Sequence, residues 1–132
     1  MIRHLSATGL TSSTTSYVQP NVGYRWRILS ILAWLDTGSG TGTRRLYIAI
    51  APYQTLSGAS LLLVNTGDQS ATSSEYFTQL FGALDAGDTN GMNFIRYSDL
   101  YADASAHIAV QPTLITGDSY GYDIQVLEEP DI

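Results

Sequence analysis

The chain has no cysteine and no lysine. Without thiols it can form no disulfide framework, thiolate metal site or thiol nucleophile. Without an ammonium group it lacks what Schiff-base and phosphate-loop chemistries require. Charge is scarce as well, at 14% of residues against an average of about 25%. The six basic residues are all arginine (Arg3, Arg25, Arg27, Arg44, Arg45, Arg96), and 12 acidic residues bring the formal charge to −6. That balance opposes binding to a phosphate backbone, so no nucleic-acid partner is expected. There is no run of 18 apolar residues, and the N-terminus lacks a charged-then-apolar signal pattern. Neither a membrane span nor a secretion tag is expected, and the chain is expected to begin in a cytoplasm.

What is present points to short strands and turns. Ser and Thr fill 28 positions, Gly 12 and Tyr 9, and hydrophobic residues make up 44% of 132 residues, enough for one core in one domain. Residues 1–23 are polar, with a Ser/Thr run at 11–16 and Pro20 closing it. They read as an extended arm lying along the body or along a neighbouring subunit, with Leu5, Leu10, Tyr17 and Val18 as its only anchors. Residues 24–36 begin by alternating, Tyr24 and Trp26 against Arg25 and Arg27, and then become apolar on both faces, which suits a central strand. After the Thr/Gly linker 37–43, residues 44–51 alternate strictly, and the two runs are expected to form an antiparallel hairpin.

A third apolar run occupies 59–64. Over 72–84 helix and strand compete evenly: Thr72 and Glu75 have capping-box spacing, and Tyr76, Phe77, Leu80, Phe81 and Leu84 follow at steps of one, three and four. Short strands are expected near 93–97, over 107–110 and 112–115, and where Tyr120, Tyr122, Ile124 and Val126 alternate with smaller or polar residues. The acidic end 128–132 reads as a loose tail. The fold class is therefore all-β: an antiparallel β-sandwich of jelly-roll type with seven or eight strands, at most one short helix, and a body over 24–127.

Signals for chemistry are weak. His4 and His107 have no companion in sequence, and neither a G-x-S-x-G elbow nor a His-x-x-x-His pair occurs. Asp85 with Asp88, and Asp99 with Asp103, share loops as paired carboxylates might, but loop aspartates are ordinarily solvated. Asp88, Thr89, Asn90 and Gly91 open like a calcium loop, without the downstream bidentate glutamate. A plain turn explains them. No catalytic residue, cofactor or metal is expected. Among the aromatics, Trp26, Tyr120 and Tyr122 fall on core positions, while Tyr47, Tyr53, Tyr97 and Tyr101 are the surface candidates for an interface.

The succession of a polar arm, the strand Tyr24, Arg25, Trp26, Arg27, Ile28, a Thr/Gly loop, the strand Arg44, Arg45, Leu46, Tyr47, Ile48, and the closing run from Pro112 to Tyr120 resembles small virion structural proteins of tailed bacteriophages. The resemblance covers roughly residues 24–127 and rests on strand order and turn placement. It implies a jelly-roll module that decorates or cements a capsid, or sits in a tail or baseplate, as a symmetric oligomer. Expected partners are the major capsid protein or other virion proteins and sister subunits, with a homotrimer favoured and the virion as the location. Leu5, Leu10, Tyr17, Val18, Tyr53 and Tyr101 are the expected interface residues. The competing reading is a carbohydrate-binding module of similar sandwich form; a small hydrolase is a weaker third.

Overall fold

The computed structural model describes residues 1–52, 61–81, 96–97, 101–103 and 105–131. Their strands are β1 (Ile2–Leu10), β2 (Ser16–Val18), β3 (Tyr24–Asp36), β4 (Arg45–Pro52), β5 (Leu61–Asn65), β6 (Ser74–Phe81), β7 (Arg96–Tyr97), β8 (Tyr101–Ala102), β9 (Ala106–Thr113) and β10 (Ser119–Pro130). There is no helix among the described residues, hence none that could cross a membrane.

Two sheets pack face to face. One has the order β1-β10-β3-β6-β7, with β8 also pairing β3, and the other the order β2-β9-β4-β5. Setting aside the two-residue strands β7 and β8, eight strands remain, four to a sheet. Their pairing follows one rule. The first half of the chain lies antiparallel to the second as one long hairpin: β1 with β10, β2 with β9, β3 with β6, β4 with β5. That ribbon is then rolled so that β10 meets β3 and β9 meets β4. This is the jelly-roll winding, and it turns a two-strand-wide ribbon into two sheets with a shared interior. The expected sandwich is present, with no helix among the described residues.

The core is what alternation places between the sheets: Trp26, Ile28, Ile31, Ala33 and Leu35 of β3, Leu46 and Ile48 of β4, Ile108 and Val110 of β9, and Tyr120, Tyr122, Ile124 and Val126 of β10. In β3 the buried positions change phase, from 26 and 28 to 31, 33 and 35. The β10 register shows why: Gln125 faces Ser30 but Val126 faces Ile28, so Leu29 is an extra residue in a β-bulge. The second half of β3 is therefore not covered on both faces. Ile31, Ala33 and Leu35 point inward, while Leu32 is exposed and Trp34 half-buried on the outer face.

Four local expectations are corrected. Residues 1–23 are not an appended arm but supply β1 and β2, one strand to each sheet, with Leu5, Leu10 and Val18 packed on the core. The reason is the ribbon geometry, which pairs the start of the chain with its end. β3 and β4 do not form a hairpin; they lie in different sheets, and 37–44 crosses between them. The even contest over 72–84 resolves to strand from Ser74, because β6 pairs with β3 from Ser74↔Asp36 to Leu80↔Ser30; residues 82–84 lie outside the described residues. The acidic tail is not loose: β10 runs to Pro130, opposite Tyr24, and Glu128 and Glu129 are bonded to arginines described below.

Candidate functional site

At one end of the sandwich the linkers are locked together. Arg44, only 1% exposed, donates through Nε to Asp118 Oδ2 at 3.0 Å and through Nη2 to the carbonyls of Gly38 (3.2 Å) and Gly40. The Asp118 carboxylate also accepts the Gly38 N–H at 2.8 Å and the Ile115 N–H at 2.8 Å. Burial pushes the Asp118 carboxyl up, but the two backbone donors and the guanidinium outweigh it and hold the group below the ordinary carboxylate range. Beside this pair, Thr37 Oγ1 donates to Ser70 O (2.6 Å) and accepts from Ser73 N (2.8 Å), and Gln69 Nε2 donates to Leu35 O at 2.8 Å. Three connections, 37–44, 66–73 and 114–118, are thus tied by buried polar bonds. The arrangement fixes the backbone of these connections.

At the opposite end several apolar side chains are exposed among the described residues. The turn into β3 closes with Tyr24 N–H donating to Asn21 O at 3.0 Å, and Gly23 takes φ 89°, which such a turn demands at its third position. Val22 is thereby pushed into solvent, 90% exposed, beside Tyr24 at 44%. Met1 and Ile2, exposed as well, enter the same end of the larger sheet: Ile2 pairs with Leu127, and Met1 O accepts from Glu128 N at 2.8 Å. Charged pairs brace this end. Glu128 Oε2 accepts from Trp26 Nε1 (2.9 Å) and Arg3 Nη1 (3.1 Å), and Glu129 Oε1 accepts from Arg25 Nε (3.1 Å). The Arg25 guanidinium lies 4.3 Å from the centre of the Tyr101 ring, so that tyrosine is engaged within the subunit.

A second exposed region lies on the outer face of the larger sheet. Gly121, Trp34 and Tyr76 form one row across β10, β3 and β6. A side chain at 121 could not coexist with the indole: a Cβ there would stand 2.2 Å from Trp34 Cζ2 and 2.8 Å from the Ala7 carbonyl oxygen. The indole therefore lies across the glycine backbone, shielding it as aromatics do opposite glycine in sheets. The Tyr76 ring, its residue 65% exposed, stands 6.4 Å from the Trp34 ring at 35°, a shallow cup. The adjoining row holds Ser6, Asp123 and Leu32. With Ala7, Thr8, Trp34 and Tyr122 these three line an open cavity of about 370 Å³. His4, expected to stand alone, has Nδ1 3.2 Å from Asp123 Oδ1.

Of the expected interface residues, Leu5, Leu10 and Val18 face the core, Tyr17 and Tyr101 are half-buried, and Tyr53 lies outside the described residues, as do Asp85, Asp99 and the 88–91 turn. His107 is buried in β9. No cluster of three or more potential metal ligands occurs among the described residues. The exposed apolar positions that sequence reasoning missed are Met1, Ile2, Val22, Tyr24, Leu32 and Tyr76, with Trp34 half-buried on the outer face. Val22 had a signal, a lone branched apolar residue inside a Pro-Asn-Val-Gly turn. Trp34 and Leu32 had none, since the bulge at Leu29 decides their face. A scan of protein-family models and a search of curated proteins find no match to this chain.

Proposed function

We propose that the chain is a non-enzymatic structural subunit of a virion, of the capsid-decoration type, that docks through its apolar end onto the major capsid protein and sister subunits as a trimer assembled in the host cytoplasm. The observation that carries the reading is the exposure of Met1, Ile2, Val22 and Tyr24 at one end of the jelly roll. Apolar side chains gathered at a surface mark a protein contact, and burying them on a partner would supply the driving force of docking. The opposite end differs in kind, its connections being held by the buried Arg44–Asp118 pair and the backbone groups it bonds. A net charge of −6 turns such a subunit away from packaged nucleic acid and toward protein.

The test is the solution mass by light scattering, together with binding to empty capsid shells, of the wild-type chain and of an Ile2→Asp/Val22→Asp variant. The expected result is a trimer mass and shell binding for the first, and a folded monomer that no longer binds for the second. A wild-type chain that is monomeric and ignores shells, or a double variant that docks normally, would overturn the reading.

A further inference from the structure

We infer that the outer face of the larger sheet is a saccharide site, with the Trp34 indole as its platform for a neutral pyranose ring. The site shares no residue with the apolar end and does not depend on the docking reading.

The argument starts from the indole's orientation. Gly121 lets Trp34 lie flat, so one indole face covers backbone and the other is turned outward. A flat aromatic face carries the negative part of the ring quadrupole, which attracts the weakly positive C–H bonds lining one side of a pyranose. The Tyr76 ring, its centroid 6.4 Å away and tilted 35°, stands beside the indole without lining the cavity, and its phenolic hydroxyl can donate or accept. The opposite flank is polar: the Ser6 and Thr8 hydroxyls and the Asp123 carboxylate line the same cavity as Trp34. An apolar floor with hydroxyls and a carboxylate on one rim matches a sugar, which is apolar across its ring face and ringed by hydroxyl donors. At about 370 Å³ the cavity falls in the range of small-ligand sites, toward its lower end. The sign of the charge narrows the class. Asp123, with His4 Nδ1 3.2 Å from its Oδ1, sets an acceptor of hydroxyl donors and a negative charge beside the platform, so neutral hexoses and N-acetylhexosamines are favoured over uronic and sialic acids.

The test follows the two indole N–H resonances of the labelled full-length protein during titration with methyl glucoside, methyl galactoside, methyl mannoside, chitotriose and, as the acidic control, a glucuronide. It is paired with a glycan array. The Trp26 N–H is bonded to Glu128 inside the sandwich and serves as the internal reference. The expected result is a saturable shift of the Trp34 resonance with at least one neutral sugar, none with the glucuronide, and an unmoved Trp26. Tyr76→Ala, at an exposed position, and Trp34→Ala should each weaken binding about tenfold or more, and Asp123→Ala several-fold. The Ile2→Asp/Val22→Asp variant should bind the sugar normally, which separates this inference from the docking reading. A folded wild-type chain that binds no neutral sugar on the array or in the titration would overturn it. So would binding that survives Trp34→Ala and Tyr76→Ala together. If Trp34→Ala instead breaks up the oligomer while wild type binds no sugar, the face is a subunit contact and the inference fails.

Discussion

The two tryptophans show how far one position in a strand separates structural from functional chemistry. Trp26 is 4% exposed and hydrogen-bonded to Glu128, whereas Trp34, eight residues on, lies on the outer face. Trp26→Ala should cost about 3–5 kcal/mol, a large part of a small domain's stability, as read by chemical denaturation. A Trp34→Phe chain, whose only indole is then Trp26, should emit blue-shifted fluorescence that acrylamide barely quenches. The Arg44–Asp118 pair makes a prediction about pH. Because the folded-state pKa of Asp118 is depressed, the unfolded chain binds the proton first as pH falls. The carboxylate's contribution is therefore complete above about pH 5 and declines as pH drops through the ordinary carboxylate range and on through the lower folded-state value. Asp118→Asn should flatten that acid limb in melting curves and lower stability at neutral pH. Asp118→Ala, which leaves the Arg44 guanidinium buried without its counter-charge, should cost about 3–5 kcal/mol.

At the scale of elements, the first strand carries the sharpest consequence. β1 pairs with β10 from Ile2↔Leu127 to Leu10↔Tyr120, and β2 pairs with β9 through Tyr17↔Ala109. Deleting residues 1–18 would strip a strand from each sheet, uncover Leu5's and Val18's core neighbours, and leave β10 and β9 as bare edges. The truncated chain is expected to aggregate or melt without a cooperative transition, as followed by circular dichroism. A truncated chain that melts cooperatively near the wild-type temperature would return these residues to the status of an arm. β6 makes a gentler point. Its apolar spacing suits a helix as well as a strand, and seven consecutive pairings with β3 settle the matter. Local preference worth a few tenths of a kcal/mol per residue yields to a ladder that satisfies every backbone group along one side.

For the whole molecule, the rolled ribbon means that almost every stabilising contact joins residues far apart in sequence, the extreme being Met1 with Glu128. Loop closure must come before such contacts form, so the chain should fold slowly, in milliseconds to seconds at 25 °C, well behind a helical protein of this size. Stopped-flow refolding from denaturant measures this directly; a microsecond phase carrying the full amplitude would contradict it. The same winding gives the molecule two unlike ends, one tied by buried polar bonds and one bearing exposed apolar side chains. That division makes directional docking through one end, with the sheet face left open, a coherent reading of the surface.

Much of this was legible in the sequence. Low charge, abundant Ser, Thr, Gly and Tyr, and period-two runs at 24–28, 45–50 and 120–126 determined an all-β sandwich, because alternation reports directly which side of a strand meets the core. It placed Trp26, Tyr120 and Tyr122 inside, where they are. The structure alone decided what depends on distant partners: that the polar N-terminal residues are two strands, that 72–84 contains a strand, that the acidic end is held by Arg3 and Arg25, and that Leu32 and Trp34 face outward. The last of these has the plainest cause. One unpaired residue at Leu29 reverses the facing of everything after it in β3, and nothing in the local alternation of Leu29, Ser30, Ile31 and Leu32 records where the register with β10 slips.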